Sequence, residues 1–386
     1  MQHSTPRLLA VAIGASLALT LAACAPAGSG GGDVEASSDA PGTGGTAVGF
    51  IMVGPKDDYG YNQAVYEGSQ AVAEAFPDLE VLTAENVPED DSAVTTMEQM
   101  IDRGAKIIFA TSYGHLDAAQ QVAEAHPDVV VVQQGNTLPE EDILPNLGTY
   151  FGTVYEPMYL AGIAAGAASE TGKLGYVYAF PIPQTIANIN AFTLGAQTVN
   201  PDVETIAVAT SSWCDPAAQA EAASSLLSQG VDVLTQHQDC TKTVIDAAEA
   251  AGAYTVGYHA DASSLAPEGW LTGAVWDWPE LYIDIVDTAV SGEFTGSPYN
   301  ANFRVGLKTG TNPFVLADFG PSVSDETIAA IADAEAFLAS EEGSPFVGPV
   351  YAQDGTEMIA AGVVPDYAEI DVMDYFVKGV TGNLAQ

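Results

Sequence analysis

The sequence predicts an α/β protein with two doubly wound parallel-sheet lobes that are joined by a hinge. Short apolar runs alternate with longer helical stretches, and strand starts recur roughly every 20–30 residues. Because a helix between two strands carries the chain across the sheet, this spacing indicates right-handed crossovers and a parallel sheet covered on both faces. Hydrophobic residues make up 47% of the 386-residue chain, which is enough to fill the cores of two lobes.

The first lobe begins with an apolar run at 47–53, which predicts a strand, followed by a helical stretch at 61–76 that stops at Pro77. The same strand-then-helix unit recurs, with strands predicted at 79–82, 106–110 and 129–132 and helices at 92–103 and 116–126. We expect this lobe to comprise about 47–153 together with 277–325.

After a helix at about 156–169 the rhythm restarts, with strands predicted at 174–179, 203–209, 231–235 and 253–256 and helices between them. Segments that are expected to cross back and complete both sheets lie at 278–290, 314–319 and 327–339. Asp354-Gly355 between apolar flanks predicts a hairpin turn. The second lobe is expected at 154–276 with 326–365, and the crossings predict a clamshell that closes on a ligand by hinge motion.

The N-terminal region indicates export. Arg7 precedes an uncharged apolar run at 8–23, which is shorter than the about 20 residues of a membrane span and typical of a signal peptide at 1–23. Leu21-Ala-Ala-Cys24 looks like the lipobox of bacterial lipoproteins, so Cys24 is expected to carry lipid, followed by a flexible Gly/Ser-rich tether to 46 and the binding domain at 47–386. The alternative is an ordinary secreted protein in which Cys24 is incidental.

Acidic residues heavily outnumber basic ones, with 51 Asp and Glu against 9 Lys and Arg and a net charge of −42. Nine scattered cations cannot form the basic stripe that a nucleic-acid backbone requires, so nucleic acid is excluded as a partner. We interpret the acidity as favouring solubility, with a cationic ligand as the alternative. The sequence contains no phosphate-binding glycine loop and no hydrolase motif, so we expect no cofactor and no catalytic residues.

Two further cysteines, Cys214 and Cys240, each follow a predicted strand. In a chain that enters an oxidising exterior, an even pair favours a disulfide. The alternative is a metal held by His237, Asp239 and Cys240, whose spacing matches no strong zinc pattern; we expect no metal.

The loops after the predicted strands share an aromatic ring, and ligands of open parallel sheets bind at these strand ends. The aromatic residues that we select from them are Tyr59, Tyr61, Tyr113, Phe180, Trp213 and Trp276. A flat ring held between aromatic side chains, with Asp and Asn at its edge, is what a nucleobase or nucleoside requires. Aromatic side chains also stack on sugars, so the alternative is a binding protein for another small neutral ligand, either a sugar or a signalling molecule.

An enzymatic alternative also exists. A nucleoside hydrolase could use clustered aspartates such as Asp57, Asp58, Asp239 and Asp261. His115 and His259 could serve as rim ligands or bases, although no obvious nucleophile lies near either in sequence.

Several segments carry a family resemblance over nearly the whole mature domain. They are Asp57-Asp-Tyr-Gly-Tyr-Asn-Gln-Ala64 with Gly68, Phe109-Ala-Thr-Ser-Tyr-Gly-His115, Tyr159-Leu-Ala-Gly-Ile-Ala-Ala-Gly166, Gly172-Lys-Leu-Gly-Tyr176, Asn190-Ala-Phe-Thr-Leu-Gly195 with Asn200-Pro201, Ser212-Trp213 with Asp215-Pro216, and Gln236-His237 with Asp239. Together they resemble the basic membrane protein family of lipoprotein substrate-binding proteins for ABC transporters, which includes nucleoside and purine binders. The resemblance implies a type I periplasmic-binding-protein clamshell.

The resemblance also implies roles for single residues. Asp58 and Asn62 match ligand-facing positions, and Tyr113 stands where an aromatic residue often occurs. Trp213 is implied as a stacking plate and Asp239 as an acceptor at the ring edge, as in the purine-base branch, while Asp261 matches a position that takes a sugar hydroxyl or a ring nitrogen. Cysteines at 214 and 240 depart from the commoner pattern; if bridged, they would hold Trp213 and Asp239 near each other and preorganise the pocket.

The predicted function is therefore that of a lipid-anchored, extracytoplasmic receptor. It would capture a purine base or nucleoside between aromatic side chains of both lobes and present it to an ABC transporter permease. A tethered receptor works as a monomer, which is the expected oligomeric state.

Overall fold

Strands and helices alternate along the computed structural model, which describes residues 39–384. Within these residues the strands, numbered in chain order, are β1 (Ala47–Ile51), β2 (Glu80–Ala84), β3 (Ala105–Ala110), β4 (Val130–Gln134), β5 (Leu147–Gly152), β6 (Lys173–Tyr178), β7 (Glu204–Ala209), β8 (Val233–His237), β9 (Tyr254–His259), β10 (Trp270–Trp276), β11 (Asn302–Val305), β12 (Phe314–Leu316), β13 (Val350–Tyr351), β14 (Glu357–Ile359) and β15 (Val380–Thr381). The helices are α1 (Tyr61–Ala75), α2 (Asp91–Asp102), α3 (Leu116–Ala125), α4 (Tyr155–Ala168), α5 (Pro183–Val199), α6 (Pro216–Ser228), α7 (Lys242–Ala251), α8 (Pro279–Val290), α9 (Asp325–Leu338) and α10 (Tyr367–Ile370).

Two parallel sheets form the centres of two lobes, which confirms the predicted α/β class. The first sheet has the order β2-β1-β3-β4-β5-β11, and every neighbouring pair is parallel. The second has the order β15-β7-β6-β8-β9-β10-β12, in which only β12 runs antiparallel to its neighbour. Because helices cover both faces of each sheet, strands such as β1 and β4 are buried along their whole length.

The chain crosses between the sheets more than once. It leaves the first sheet after β5, builds most of the second, returns to add β11 to the first, and then adds β12 to the second. The range 277–325 expected for the first lobe included β12, whereas the structure pairs this strand with β10. The second sheet also receives β15, which lies beyond the predicted limit of 365.

Strands β5, β10, β11 and β15 were not predicted. β5 contains Gly148 and Gly152, and β10 contains Gly273. These glycines weaken the apolar sequence pattern by which a strand is predicted. Strands β5 and β10 each lie between two neighbouring strands, which supply hydrogen bonds on both sides.

The predicted hairpin at Asp354-Gly355 is confirmed. It joins the antiparallel strands β13 and β14, and Gly355 has a φ of 87°, a left-handed conformation that favours glycine. The Asp354 carboxylate accepts a hydrogen bond from the Thr356 N–H at 2.9 Å, which closes the turn.

The N-terminal predictions fall mostly outside the described residues. The expected signal peptide, Cys24 and the tether as far as residue 38 are not among them. The last predicted tether residues are attached to the first lobe, since Gly42 donates to the Asp128 carbonyl at 3.1 Å and Thr46 to the Gly104 carbonyl at 3.0 Å. Among residues 39–384, no helix combines the length and apolarity needed to cross a bilayer.

Helices α4 and α5 pack closely through glycines. A Cβ placed on Gly195 of α5 would lie 2.0 Å from the Tyr159 carbonyl oxygen of α4, and one on Gly162 would lie 2.1 Å from the Phe192 carbonyl oxygen. Neither backbone can yield without moving a helix, so these positions require the absence of a side chain.

We expect Gly195→Ala to lower the free energy of unfolding by about 1–3 kcal/mol, because overpacking outweighs the better helix propensity of alanine. Urea unfolding followed by circular dichroism measures the effect. An unchanged or raised midpoint would show that the two helices can separate at little cost.

Candidate ligand-binding site

A cavity lies between the carboxyl ends of the two sheets, where a ligand of an open α/β fold is expected. It encloses about 390 Å³ of empty space including its solvent-open mouth. The residues that line it from the first lobe are Val53, Tyr61, Ser112, Tyr113, Gln134, Gly135 and Phe151, and those from the second lobe are Gln184, Trp213, His237, Asp239 and His259. Both lobes therefore contribute aromatic rings and polar groups to one space.

Four of the ten predicted ligand-binding residues line this cavity, namely Tyr61, Tyr113, Trp213 and Asp239. Phe180 lies beside it, with its ring edge-to-face against Trp213 at a centroid distance of 5.1 Å. Trp213 is half-buried and lines the cavity, so part of its indole is accessible from the cavity.

Asp58 and Asn62 lie behind the cavity wall. One Asp58 oxygen accepts from the N–H groups of Gly60 and Gln63 at 2.9 and 3.0 Å, and the other from the N–H and side-chain amide of Asn62 at 3.2 and 2.8 Å. The Asp58 carboxylate thereby satisfies backbone N–H groups at the start of α1, which have no partner within the helix. Asn62 also donates to the Asp239 carboxylate at 3.2 Å, so both residues position Asp239.

Three other predicted residues do not line the cavity. Tyr59 is 38% exposed, and Asp261 is exposed and accepts from the Ser263 N–H at 2.8 Å, at the start of a short 3₁₀ helix. Trp276 is buried, stacked on Trp278 at a centroid distance of 4.2 Å. Several loops that the strand-end rule selected reach the cavity, but the direction of each side chain within a loop depends on contacts with residues distant in sequence.

The loop after β8 joins the two lobes. Thr241 donates from its N–H to the Asp58 carbonyl at 3.2 Å and from its hydroxyl to the Tyr59 carbonyl at 2.6 Å. A disulfide links Cys240 of this loop to Cys214, with Cα atoms 5.4 Å apart, and it leaves no thiolate for the alternative metal site.

Non-glycine residues in the left-handed region cluster around the cavity. Tyr59, Ser211, Cys240 and His259 have φ values of 56°, 58°, 54° and 74°. Such conformations cost of order 1–3 kcal/mol each and persist where the surroundings hold them in place. Their presence in four site loops indicates that the cavity geometry is specified at the expense of local stability.

The two histidines of the cavity are neutral. Burial lowers the pKa of His237 to about 3; its Nδ1 accepts from the Asn188 amide at 3.1 Å, so the ring proton is on Nε2. Burial and the neighbouring His237 lower the pKa of His259. The Trp276 indole N–H donates to Nδ1 of His259 at 2.9 Å, which leaves Nε2–H as a hydrogen-bond donor.

Asp239 is a buried carboxyl group with an unusual environment. Burial raises its pKa, the charges of Asp58 and Glu89 raise it further, and the hydrogen bond from Asn62 opposes them. This carboxyl can therefore take up a proton far more readily than an exposed aspartate, and then offer a donor as well as an acceptor to a ligand.

The neutral state of His237 predicts a pH dependence of stability. The ring has a pKa near 6.5 when unfolded, so protonation of the unfolded chain lowers stability as the pH falls from about 6.5 towards 3. Between pH 7 and 5 this group should reduce the free energy of unfolding by about 2 kcal/mol.

Between pH 7 and pH 5 we expect His237→Asn to lose about 2 kcal/mol less of its free energy of unfolding than the wild type loses. The side-chain oxygen of this variant can still accept a hydrogen bond from the Asn188 amide. Urea unfolding at pH 7 and pH 5 gives both differences. Burial, the larger cause of the lowered His259 pKa, remains in the variant, so most of the His259 contribution is common to both proteins. Identical pH slopes would contradict a buried neutral His237.

Sequence reasoning did not select eight lining residues as ligand-binding. They are Val53, Ser112, Gln134, Gly135, Phe151, Gln184, His237 and His259, of which His259 was considered only as a rim ligand or base. Gln134 and Gly135 follow the predicted strand at 129–132, and the same strand-end rule could have selected them. Phe151 belongs to β5, which was not predicted, so no local signal identified it.

Known proteins with similar sequence or structure support this description. A family model described as "ABC transporter substrate-binding protein PnrA-like" matches residues 46–335. A purine-binding protein of Brucella abortus (strain 2308) is 34% identical over 342 residues, which cover 88% of this chain and 94% of that protein. A candidate ABC transporter glucose-binding protein of Haloferax volcanii is 32% identical over 355 residues, covering 92% and 85%.

The fold has solved counterparts. An ABC transporter solute-binding protein from Aeropyrum pernix K1 superimposes with a TM-score of 0.67 at 18% identity and covers 84% of this chain and 95% of that one. At this identity the likeness supports the periplasmic-binding-protein-like fold alone. The family match over residues 46–335 and the 34% identical relative confirm the predicted family: the chain belongs to the Bmp family of PnrA-like ABC transporter substrate-binding proteins.

Proposed function

We propose that this ABC transporter substrate-binding protein captures a neutral purine, as the free base or the nucleoside. Substrate-binding proteins of ABC importers work outside the cytoplasm, bind a small molecule and present it to a permease. The observation that carries the proposal is the set of aromatic side chains that both lobes direct to one narrow cavity.

The aromatic walls suit a flat heterocycle. Trp213 from the second lobe and Phe151 and Tyr113 from the first line the same cavity. A ring between such side chains gains stacking of about 1–3 kcal/mol per base, and the polar groups at the cavity edge, His259 and Asp239, can hydrogen-bond to it.

The electrostatics favour an uncharged ligand. No Lys or Arg is among the residues that line the cavity, so a phosphate group would lack a counter-charge. The histidines there are neutral, and Asp239 protonates readily. The purine-binding relative from Brucella, which is matched over nearly its whole length, adds support.

A sugar is the second candidate, favoured by the glucose-binding name of the Haloferax relative. A hydrolase is disfavoured by the positions of its candidate aspartates, since Asp58 is occupied by four hydrogen bonds and Asp261 is exposed outside the cavity. Binding rather than turnover is therefore the proposed activity.

Attachment to the membrane is a further part of the proposal. Lipid on Cys24 would anchor the protein outside the cell membrane, and the tether would let a monomer reach its permease. Metabolic labelling with a fatty acid probe tests this, with Cys24→Ser as the unlabelled control. Labelling of both proteins, or of neither, would contradict lipidation at Cys24.

Isothermal titration against adenine, guanine, hypoxanthine, adenosine, guanosine, inosine and glucose tests the ligand class. The protein is first denatured and refolded to remove ligand carried through purification. Tight binding of one or more purines supports the proposal; binding of glucose alone would replace it with the sugar function. Release of free base from inosine would indicate an enzyme.

A further inference from the structure

Gln134 has an unpaired amide beside the cavity. It ends β4, is fully buried and lines the cavity. Its Oε1 accepts hydrogen bonds from the hydroxyls of Tyr150 and Tyr282 at 2.8 and 3.1 Å, whereas its Nε2 has no partner among the described residues. Of the buried side-chain atoms without a partner in residues 39–384, this is the one on a residue that lines the cavity.

The direction of this amide follows from its neighbours. Tyr150 and Tyr282 are buried, and burial raises the pKa of each phenol well above its ordinary value, so both hydroxyls keep their protons. The Tyr150 hydroxyl can donate to the carbonyl oxygen of Gln134 or, at 3.3 Å, to the Tyr282 oxygen, whereas the Tyr282 hydroxyl donates to the Gln134 carbonyl oxygen. At least one of the two phenol protons therefore needs an acceptor at Gln134, which its carbonyl oxygen supplies. The amide NH₂ is thereby left for a partner that residues 39–384 do not supply.

One segment of the chain supports this donor and the donor of His259. Trp276, Trp278 and Tyr282 form a stack with centroid distances of 4.2 and 5.3 Å. Trp276 at one end orients His259 in the second lobe, and Tyr282 at the other orients Gln134 in the first. The passage from β10 to α8 therefore sets two hydrogen-bond donors on opposite sides of the cavity.

We propose that Gln134 is a specificity-determining residue, which selects a ligand that places an unprotonated ring nitrogen or a carbonyl oxygen against the end of β4. The inference rests on the proposed purine function. A buried amide without a partner is unfavourable, so a ligand with an acceptor at this point relieves that penalty and an analogue without it does not.

The test measures affinities of the wild type, Gln134→Met and Gln134→Glu by isothermal titration. The probes are the purine that binds best, its 1-, 3- and 7-deaza analogues, each of which replaces one ring nitrogen by C–H, and the analogue that lacks the exocyclic oxygen or nitrogen. We expect Gln134→Met to bind the parent purine at least tenfold more weakly, equivalent to about 1.4 kcal/mol. One of these analogues should bind the wild type more weakly than the parent purine does, by a similar factor. The same analogue should bind Gln134→Met as tightly as the parent purine binds that variant.

Gln134→Glu keeps an acceptor for the two tyrosine hydroxyls but replaces the NH₂ donor by an oxygen, so it should bind the parent purine at least as weakly as Gln134→Met. Gln197→Met is the matched control, because Gln197 bonds to the carbonyls of Val203 and Lys378 and does not line the cavity. Thermal unfolding of each variant verifies that it is folded.

The outcomes separate the two proposals. This inference is overturned if the wild type and both folded Gln134 variants bind the purine with equal affinity. It is also overturned if the analogue binds Gln134→Met more weakly than the parent purine by the same factor as in the wild type. Either result leaves the proposed purine function unaffected. If no purine binds the folded wild type, the proposed function fails and this inference fails with it.

Discussion

Replacing Trp213 with alanine is expected to weaken purine binding by about 5- to 150-fold, because the stacking of a base on an aromatic side chain contributes about 1–3 kcal/mol. The indole lines the cavity and is supported edge-on by Phe180. Since Trp213 is only half-buried, its removal leaves no large core void and should change the unfolding midpoint little.

Trp213→Phe is the matched control for this prediction. A phenyl ring keeps a stacking face of smaller area, so this variant should retain most of the affinity. Isothermal titration with the best purine ligand gives both values. If Trp213→Ala binds as tightly as the wild type, Trp213 is not part of the ligand contact and another wall carries the stacking.

Replacing both Cys214 and Cys240 with serine is expected to lower the free energy of unfolding by about 3–4 kcal/mol, the chain-entropy value for a loop of this length. The two residues are 26 apart in sequence. We expect a loss of purine affinity as well, because the bridge connects the loop of Trp213 with that of Asp239, where the Asp239 N–H donates to the Trp213 carbonyl at 2.8 Å.

Reduction provides an independent control. A thiol reductant should weaken the wild type in urea unfolding and leave the double serine variant unaffected, since only the former has a bond to break. If the serine variant unfolds at the same urea concentration as the oxidised wild type, the bridge does not stabilise the folded state. Unchanged purine affinity in a folded variant would show that the two loops are positioned without it.

Much of the fold could be predicted because the signals are local. The predicted helix at 61–76 and the predicted strand at 106–110 agree with α1 and β3 to within one residue at each end, since hydrophobic periodicity and Pro77 act over a few residues. Strand β5 was not predicted because its pairing with β4 and β11 outweighs the glycines in its own sequence.

The site shows the same division. The rule that ligands bind at strand ends located the loops of Tyr113, Trp213 and Asp239. It could not show that Asp58 turns away to hold the first turn of α1, because that depends on the N–H groups of the helix that follows.

The sequence by itself determined the α/β class and the family, and it predicted loops that reach the cavity, because composition, periodicity and motifs are properties of the chain alone. The tertiary structure decided which side chains face the cavity and which atoms remain unpaired. Gln134 is the clearest case: its partners Tyr150 and Tyr282 are 16 and 148 residues away. Only the packing of β5 and α8 against β4 brings their two hydroxyls to one oxygen and leaves the amide nitrogen for a ligand.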